Sequence, residues 1–200
     1  MQFFLRFATA FFYGTEVKLL PATRIESLGV DSRENYCGIQ YNARQIIRKI
    51  RKPVNSHCML AITMKDLYPE DSWDFVYGLA GFETGVFSFI RHLQYDLPPE
   101  EAQEIMLYRS CKTLVHEICH MLGLLHCIYY KCAMNGDNGN EPSPAYLCPV
   151  CLRKLQKALG FRLAPRFRAL AEVVADRPHA KWAKLLQHYQ FMLKRCPPTC

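Results

Sequence analysis

The stretch 116-HEICHMLGLLHCIYYKCAM-134 collects metal-binding side chains at a spacing that decides how this chain folds. It contains three histidines, three cysteines and a glutamate within nineteen residues. His116 and His120 are four residues apart. On a helix this spacing corresponds to about 40° of rotation and about 6 Å of rise, so both imidazoles project from one face. We therefore predict a helix through this segment that presents two ligands of a zinc site.

The third histidine of the stretch, His126, can join the same site only if the helix stops before it. A continued helix would carry His126 about 9 Å further along the axis than His120 and off the shared face. Gly123 stands where the chain must bend, and glycine tolerates the positive φ of a helix terminus. Three histidines would leave the fourth zinc position open, as in catalytic zinc sites. Glu117, beside the first ligand, is then placed to act as a general base.

Four cysteines after His126 have the spacing of a second metal site. They form a C-x4-C pair followed later by a C-x2-C pair, and they are Cys127, Cys132, Cys148 and Cys151. Four thiolates in such a pattern are the ligands of a closed structural zinc, and we expect them to bind one. Buried free thiols or two disulfides are the alternatives. The sequence therefore predicts two Zn²⁺ ions per chain, one catalytic and one structural.

The other cysteines and histidines have no comparable spacing. We expect most of these cysteines to be small buried side chains, the terminal CPPTC to be frayed, and the histidines to have ordinary roles. These residues are Cys37, Cys58, Cys111, Cys119, Cys196 and Cys200, together with His57, His92, His179 and His188.

Length and composition indicate one globular domain with a basic C-terminal end. Of the 200 residues, 50% are hydrophobic and 22% are charged, which is an ordinary balance. No apolar run reaches the roughly 18–20 residues that span a bilayer, so we expect no membrane contact.

The net charge is +7, and residues 152–200 hold eleven Lys and Arg against two acids. Such an excess is typical of solvated helix faces, which we favour, or of a surface that binds an acidic partner.

Hydrophobic periodicity predicts an order of helices and strands typical of an α/β domain. The phenylalanines near the start fit one face of an opening helix that ends at Gly14. Further helices are predicted over 42–52, from Pro98 to about Gly123, over 152–160, and over 169–193 with a break near Pro178. Strands are predicted over 17–22, 58–67, 73–81 and 85–92.

The full pattern H-E-x-x-H-x-x-G-x-x-H is that of the metzincin metallopeptidases, which carry a methionine turn further along the chain. Here the third histidine is followed directly by Cys127, and then by Cys132, Met134 and the Cys148 and Cys151 pair. In this combination the chain resembles the archaemetzincin family, and its eukaryotic members in particular. The resemblance covers most of residues 10–170 and includes 64-MKDLYPEDSWDFVYG-78, 85-GVFSFIRH-92, 109-RSCKTLVHE-117 and 148-CPVCLRKLQ-156.

The resemblance implies an α/β (α+β) fold with a metzincin-like mixed sheet, a long zinc-binding active-site helix and a helical C-terminal part. The strand over 85–92 would be the sheet edge along which a peptide lies, because free backbone groups suit an added strand. The metzincin sheet starts with a strand before the first helix, whereas this chain begins in that helix. We therefore expect the usual first strand to be lacking.

The resemblance also assigns roles to the residues of the two clusters. Glu117 would be the general base, and Met134 would form the methionine turn as a hydrophobic floor under the imidazoles. Cys119 stands where family members often have glycine. The catalytic zinc would be bound by His116, His120 and His126, and the second zinc by Cys127, Cys132, Cys148 and Cys151.

The predicted function is hydrolysis of peptide bonds by a zinc-activated water with Glu117 as the base. Residues 1–168 would form the peptidase domain and 169–200 a basic helical tail. We expect a peptide or protein substrate and a monomer in the cytoplasm or nucleus, since metal-binding thiols suit a reducing compartment. The alternative is a zinc-stabilised, non-catalytic protein whose tail engages nucleic acid or a protein partner. Glu117 favours the enzyme, because a carboxylate that binds no zinc serves no purpose in a structural site.

Overall fold

Short strands occupy the middle of the chain, with one helix before them at its start and three helices at its end. The structure, a computed structural model, describes residues 1–36, 38–136 and 143–196. Its α-helices are α1 (Gln2–Phe11), α2 (Ala43–Lys49), α3 (Pro99–Met121), α4 (Pro149–Leu159), α5 (Leu163–Val174) and α6 (Ala180–Arg195). Its strands are β1 (Ser32–Asn35), β2 (Gly38–Asn42), β3 (Met59–Thr63), β4 (Asp66–Tyr68), β5 (Gly78–Ala80) and β6 (Thr84–Ser88).

The strands form two small sheets, and each of them is mixed. In the first, in the order β1-β2-β4, β2 pairs antiparallel with β1 and parallel with β4. In the second, in the order β3-β6-β5, β6 pairs parallel with β3 and antiparallel with β5. The predicted fold class, a mixed α/β domain with a helical C-terminal part, is confirmed.

The prediction that the strand over 85–92 forms the sheet edge is wrong. This strand, β6, lies in the centre of its sheet, and β5 lies at the edge. Four of the five residues of β6 are buried. A strand that is buried on both faces reads as a nearly continuous apolar run, and GVFSF is such a run. The edge strands of this sheet are β3 and β5.

Three further strand predictions differ from the structure. The run 58–67 is two strands, because the chain bends after Thr63 and β4 pairs in the other sheet. Residues 17–22 form no strand, and within 73–81 only β5 does. The antiparallel pair β1 and β2 was not predicted, since its first strand, SREN, is polar and carries no hydrophobic alternation.

The main hydrophobic core lies between α1, α3 and the C-terminal helices. Phe7 and Phe11 of α1 and Trp182 of α6 are fully buried in it. Arg166 of α5, only 2% exposed, donates a hydrogen bond from Nε to the Phe11 carbonyl oxygen at 2.7 Å. Its guanidinium also lies over the Phe11 ring, 4.5 Å from the centroid. The C-terminal helices therefore share one core with α1, and the predicted boundary after residue 168 falls within α5.

The long helix α3 carries the predicted ligands and begins and ends as the sequence indicates. Pro99 is its first residue, and Glu100 and Glu101 lie in its first turn, where acidic side chains favour the positive end of the helix dipole. The helix ends at Met121, two residues before Gly123, whose φ is +85°. The predicted bend after the second histidine is confirmed. None of the described helices is both long enough and apolar enough to span a membrane.

Candidate active site and metal centre

The three histidines of the quoted stretch converge at the end of α3. One ligand atom from each of His116, His120 and His126 lies within 4.8 Å of the corresponding atoms of the other two. The Nε2 atoms of His116 and His120 are 2.9 Å apart, because one helical turn separates the two rings. The third ring reaches them because the chain turns at Gly123. The centroid of the His126 ring lies 4.8 Å from that of His120 and 5.2 Å from that of His116.

Backbone carbonyl groups orient two of these rings. The Nδ1 atom of His116 lies 2.8 Å from the Ala133 carbonyl oxygen, and that of His120 lies 2.8 Å from the Leu124 carbonyl oxygen. A carbonyl oxygen only accepts, so each Nδ1 carries the proton and each Nε2 keeps a free lone pair. Hydrogen bonds of this kind hold metal-binding histidines in one tautomer. Each of the two Nε2 atoms therefore has a lone pair available to coordinate a cation.

The protonation state of the histidine cluster also suits a metal ion. Burial lowers the pKa of His116 to about 4, and it also lowers the pKa of His120. Both imidazoles are therefore neutral near pH 7, which is the form that ligates metals. Gly136 packs against the third ring, since a Cβ atom at this position would lie 3.3 Å from Nδ1 of His126. A larger residue there would press on the His126 ring.

Glu117 points from α3 toward the strand β5. Its side chain is buried, and a Cβ atom on Gly78 of β5 would lie 2.7 Å from its Oε1 atom. Burial raises the pKa of Glu117 to about 8. A carboxyl group with a raised pKa beside a histidine cluster is typical of an acid–base group in a catalytic site.

The four cysteines form a second, closed cluster next to the first. Their sulfur atoms all lie within 4.8 Å of one another, and all four residues are buried. The Sγ atoms of Cys127 and Cys148 are 3.7 Å apart. The backbone N–H of Cys148 donates to Sγ of Cys132 at 3.2 Å, and that of Cys151 donates to Sγ of Cys148 at 3.5 Å. Each thiol is free rather than disulfide-bonded. The arrangement thus has the four sulfur donors that a tetrahedral structural zinc requires.

The turn around Met134 joins the two clusters. Met134 is fully buried, and its carbonyl oxygen accepts a hydrogen bond from the Cys127 N–H at 2.7 Å. Asn135 fixes the loop before it, because its Nδ2 atom donates to the carbonyl oxygens of Cys127 at 2.7 Å and Tyr130 at 2.9 Å. Its Oδ1 atom accepts from the Cys132 N–H at 2.8 Å. The same turn therefore orients His116, through Ala133, and the first two cysteines.

Sequence reasoning did not find the groups that support the two clusters. Ala133 and Leu124 act through their carbonyl oxygens, which no residue pattern reveals. Gly78 lies 39 residues before Glu117, and nothing in the sequence connects the two positions. Asn135 was detectable in principle, because a turn-forming asparagine directly follows the methionine of the expected turn.

The remaining cysteines and histidines lie outside both clusters. Cys111 and Cys119 are fully buried, whereas Cys58 and Cys196 are half-buried; Cys37 and Cys200 lie outside the described residues. Of the histidines, His57 is exposed, His179 accepts a hydrogen bond from the Lys181 N–H at the start of α6, and His188 stacks on Tyr146. His92 is buried, with Nε2 2.9 Å from the Thr113 hydroxyl. Cys119 contributes to neither cluster within the described part of the chain.

Both donor sets fit zinc. Neutral imidazole nitrogens and thiolate sulfurs are its preferred ligands, and sets of three histidines and of four cysteines are common zinc sites. The histidine set leaves one tetrahedral position for water or substrate, whereas the cysteine set leaves none.

Comparison with known proteins agrees with this chemistry. A family model for "Peptidase family M54" matches residues 8–157. Archaemetzincin-2 of Mus musculus is 39% identical over 204 residues, covering 85% of this chain and 57% of that protein. Archaemetzincin-1 of Rattus norvegicus is 36% identical over 199 residues, covering 82% of this chain and 40% of that protein. The chain thus spans about half the length of the curated relatives it matches.

Two crystal structures share the fold. The archaemetzincin of Archaeoglobus fulgidus, complexed with malonate, superposes with a TM-score of 0.53 at 29% identity, covering 71% of this chain and 84% of that chain. The archaemetzincin of Methanopyrus kandleri superposes with a TM-score of 0.51 at 30% identity, covering 61% and 67%. Since the family model matches three quarters of the residues and the fold agrees, the chain belongs to peptidase family M54, the archaemetzincin family.

Proposed function

We propose that the chain is a zinc-dependent peptidase that hydrolyses peptide bonds with Glu117 as the general base. The observation that carries this proposal is the convergence of three histidines next to the buried carboxyl group of Glu117. Membership in peptidase family M54 supports the reaction class. A carboxyl group beside an open metal site is the arrangement of a hydrolytic centre.

The protein residues divide the chemistry among them. His116, His120 and His126 would hold the ion, and the carbonyl oxygens of Ala133 and Leu124 keep two of the rings in the ligating tautomer. Zinc bound there supplies Lewis acidity, which lowers the pKa of water and polarises the scissile carbonyl group. Glu117 would accept a proton from the attacking water and then pass it to the leaving amine. A neighbouring dication favours the carboxylate form, which opposes the effect of burial on its pKa.

A second zinc in the cysteine cluster would serve the fold. Cys127, Cys132, Cys148 and Cys151 are buried and offer a complete tetrahedral set, so no position would be left for a substrate. We assign this ion the role of fixing the turn that orients His116. The proposed content is therefore two zinc ions per chain.

The substrate would be a peptide or protein in extended form. The edge strand β5 begins at Gly78, which contacts the Glu117 carboxylate. A peptide that added to the outer edge of β5 would form main-chain hydrogen bonds and pass close to the proposed base. We also propose a monomer in the cytoplasm or nucleus, where the free thiols of the second cluster remain reduced.

The test is the substitution Glu117→Gln, which keeps the size of the side chain and removes its basicity. Loss of a general base lowers kcat by about 10²–10⁴-fold, and zinc content should be unchanged. The matched control is Glu101→Gln, an exposed position in the first turn of the same helix, which should cleave a peptide library as wild type does. A Glu117→Gln variant with the wild-type kcat would contradict the assignment of the base.

A second candidate function rests on the charge of the C-terminal helices. Several of their cations are exposed on α4, α5 and α6, and the two acids of this region are Glu172 and Asp176. A non-catalytic, zinc-stabilised protein could use this surface, including the tail 169–200, to bind nucleic acid or an acidic protein. Binding that weakens steeply between 50 and 200 mM salt would support this candidate. Absence of binding at 50 mM would exclude nucleic acid as the partner.

A further inference from the structure

The first residue of the edge strand β5 is in contact with the carboxyl group of Glu117. A Cβ atom on Gly78 would lie 2.7 Å from Oε1 of Glu117 and 2.9 Å from both Cδ and Cγ, whereas ordinary contact begins at 3.4 Å. Gly78 is not one of the glycines with a positive φ, so its backbone conformation does not require glycine. The space that the absent side chain leaves is what Glu117 occupies.

The start of β5 is held firmly against its neighbours. The Ser88 N–H donates to the Tyr77 carbonyl oxygen at 2.9 Å, which ties the strand to β6. The Tyr77 ring stacks on His92, with centroids 4.9 Å apart and planes 4° from parallel. Nε2 of His92 in turn lies 2.9 Å from Oγ1 of Thr113, one helical turn before Glu117 on α3. The strand that would carry a methyl group at position 78 is therefore fixed to α3. The Glu117 side chain, and not the strand, would have to move.

We propose that Gly78 is a positioning residue, whose missing side chain forms the slot that sets the place of the Glu117 carboxylate. The catalytic part of this inference rests on the proposed role of Glu117 as the base, whereas the contact itself does not. A methyl group at position 78 displaces Oε1 by about 0.7 Å, the difference between 2.7 Å and 3.4 Å. Misplacement of a reacting group by about 1 Å can cost 10²-fold in rate.

The kinetic test is the Gly78→Ala variant, assayed as the zinc-loaded 200-residue chain on a peptide that wild type cleaves. We expect kcat to fall by about 10–100-fold, with KM within twofold of wild type and zinc content unchanged. The control is Gly85→Ala on the neighbouring strand β6, where a methyl group would meet the side-chain end of Leu60 at 3.0 Å, and the Leu79 carbonyl oxygen and the Met121 side-chain end at 3.4 Å each. The Gly85→Ala variant should retain the wild-type kcat, because the new methyl group does not contact Glu117.

The structural test needs no activity. Gly78→Ala should lower the melting temperature by about 2–12 °C in the presence of Glu117, because the site is overpacked. In a Glu117→Ala background the shift should vanish, since the carboxylate that the new methyl group meets is gone. The shift caused by Gly85→Ala should be equal in both backgrounds.

The outcomes separate the contact, the positioning role and the proposed function. An equal melting shift for Gly78→Ala in both backgrounds would overturn the contact and the inference with it. A Gly78→Ala melting shift that depends on Glu117, together with a Gly78→Ala kcat within twofold of wild type, would overturn the positioning role. Hydrolysis that survives Glu117→Ala rejects Glu117 as the base, and absence of hydrolysis from wild type rejects the peptidase function. Either result also rejects the positioning role, while the melting comparison still decides the contact.

Discussion

Replacing Cys148 with serine should remove one zinc ion and destabilise the fold. Cys148 is buried and its sulfur takes part in the closed cluster. It is also the N-cap residue of α4, where its side chain accepts from the Cys151 N–H. Serine is itself a good N-cap residue, so the start of the helix is retained and the loss is confined to the metal.

The size of the effect follows from the role of the ion. Loss of a structural metal belongs to the few mechanisms that cost more than about 4 kcal/mol. For a chain of this size, 4 kcal/mol corresponds to a decrease of about 8–16 °C in Tm. Thermal unfolding followed by circular dichroism, together with zinc analysis, should show this decrease and a loss of one ion.

The control separates the metal from the burial of a hydroxyl group. Cys111 is a fully buried thiol of α3 outside both clusters, and Cys111→Ser should cost about 1–3 kcal/mol. After removal of zinc by a chelator, Cys148→Ser and wild type should melt together, whereas the Cys111→Ser difference should persist. A Cys148→Ser protein with the wild-type Tm and zinc content would refute the structural zinc.

Two other predictions concern stability away from the clusters. Burial, followed by the charge of Arg166, lowers the pKa of His188 to about 4 from 6.5. Between these pH values the unfolded chain binds more protons than the folded chain. Stability therefore falls as the pH decreases from about 6.5 to 4. Because the His188 side chain is partly exposed, the loss of stability is about 1 kcal/mol. The variant His188→Phe, which keeps a ring beside Tyr146, should show a smaller decrease of Tm as the pH is lowered. An equal dependence of Tm on pH in the variant and wild type would contradict the assignment. Asp66 receives hydrogen bonds from Nε of Arg91 at 2.9 Å and Nη2 at 2.6 Å, so Asp66→Ala should cost about 3–5 kcal/mol in urea unfolding, and a loss below 1 kcal/mol would show the pair to be dispensable.

The sequence predicts the site better than it predicts the sheets. Helical spacing alone places His116 and His120 on one face, and the requirement for a bend at Gly123 follows from the position of His126. The structure has this bend at a φ of +85°. These predictions succeed because they depend on local geometry that one helix and one glycine determine.

Strand order depends on contacts that are distant in sequence, and here the predictions fail. The apolar run GVFSF indicates a buried strand, but it does not say which strands lie beside it. The sheet edge was therefore assigned to β6, which lies in the centre of its sheet between β3 and β5. The polar strand β1 forms because it pairs with β2, and no hydrophobic alternation marks it. Likewise, the carbonyl oxygens that orient the histidines belong to residues whose side chains carry no signal.

The most direct test of the central claim is the zinc content of the dialysed, untagged chain, measured by elemental analysis in wild type and two variants. We predict two ions for wild type, and one each for His126→Ala and Cys148→Ser, with hydrolysis abolished in the first variant. This result would show two separate sites, one of them catalytic. One ion or none in wild type, or two ions in either variant, would contradict it.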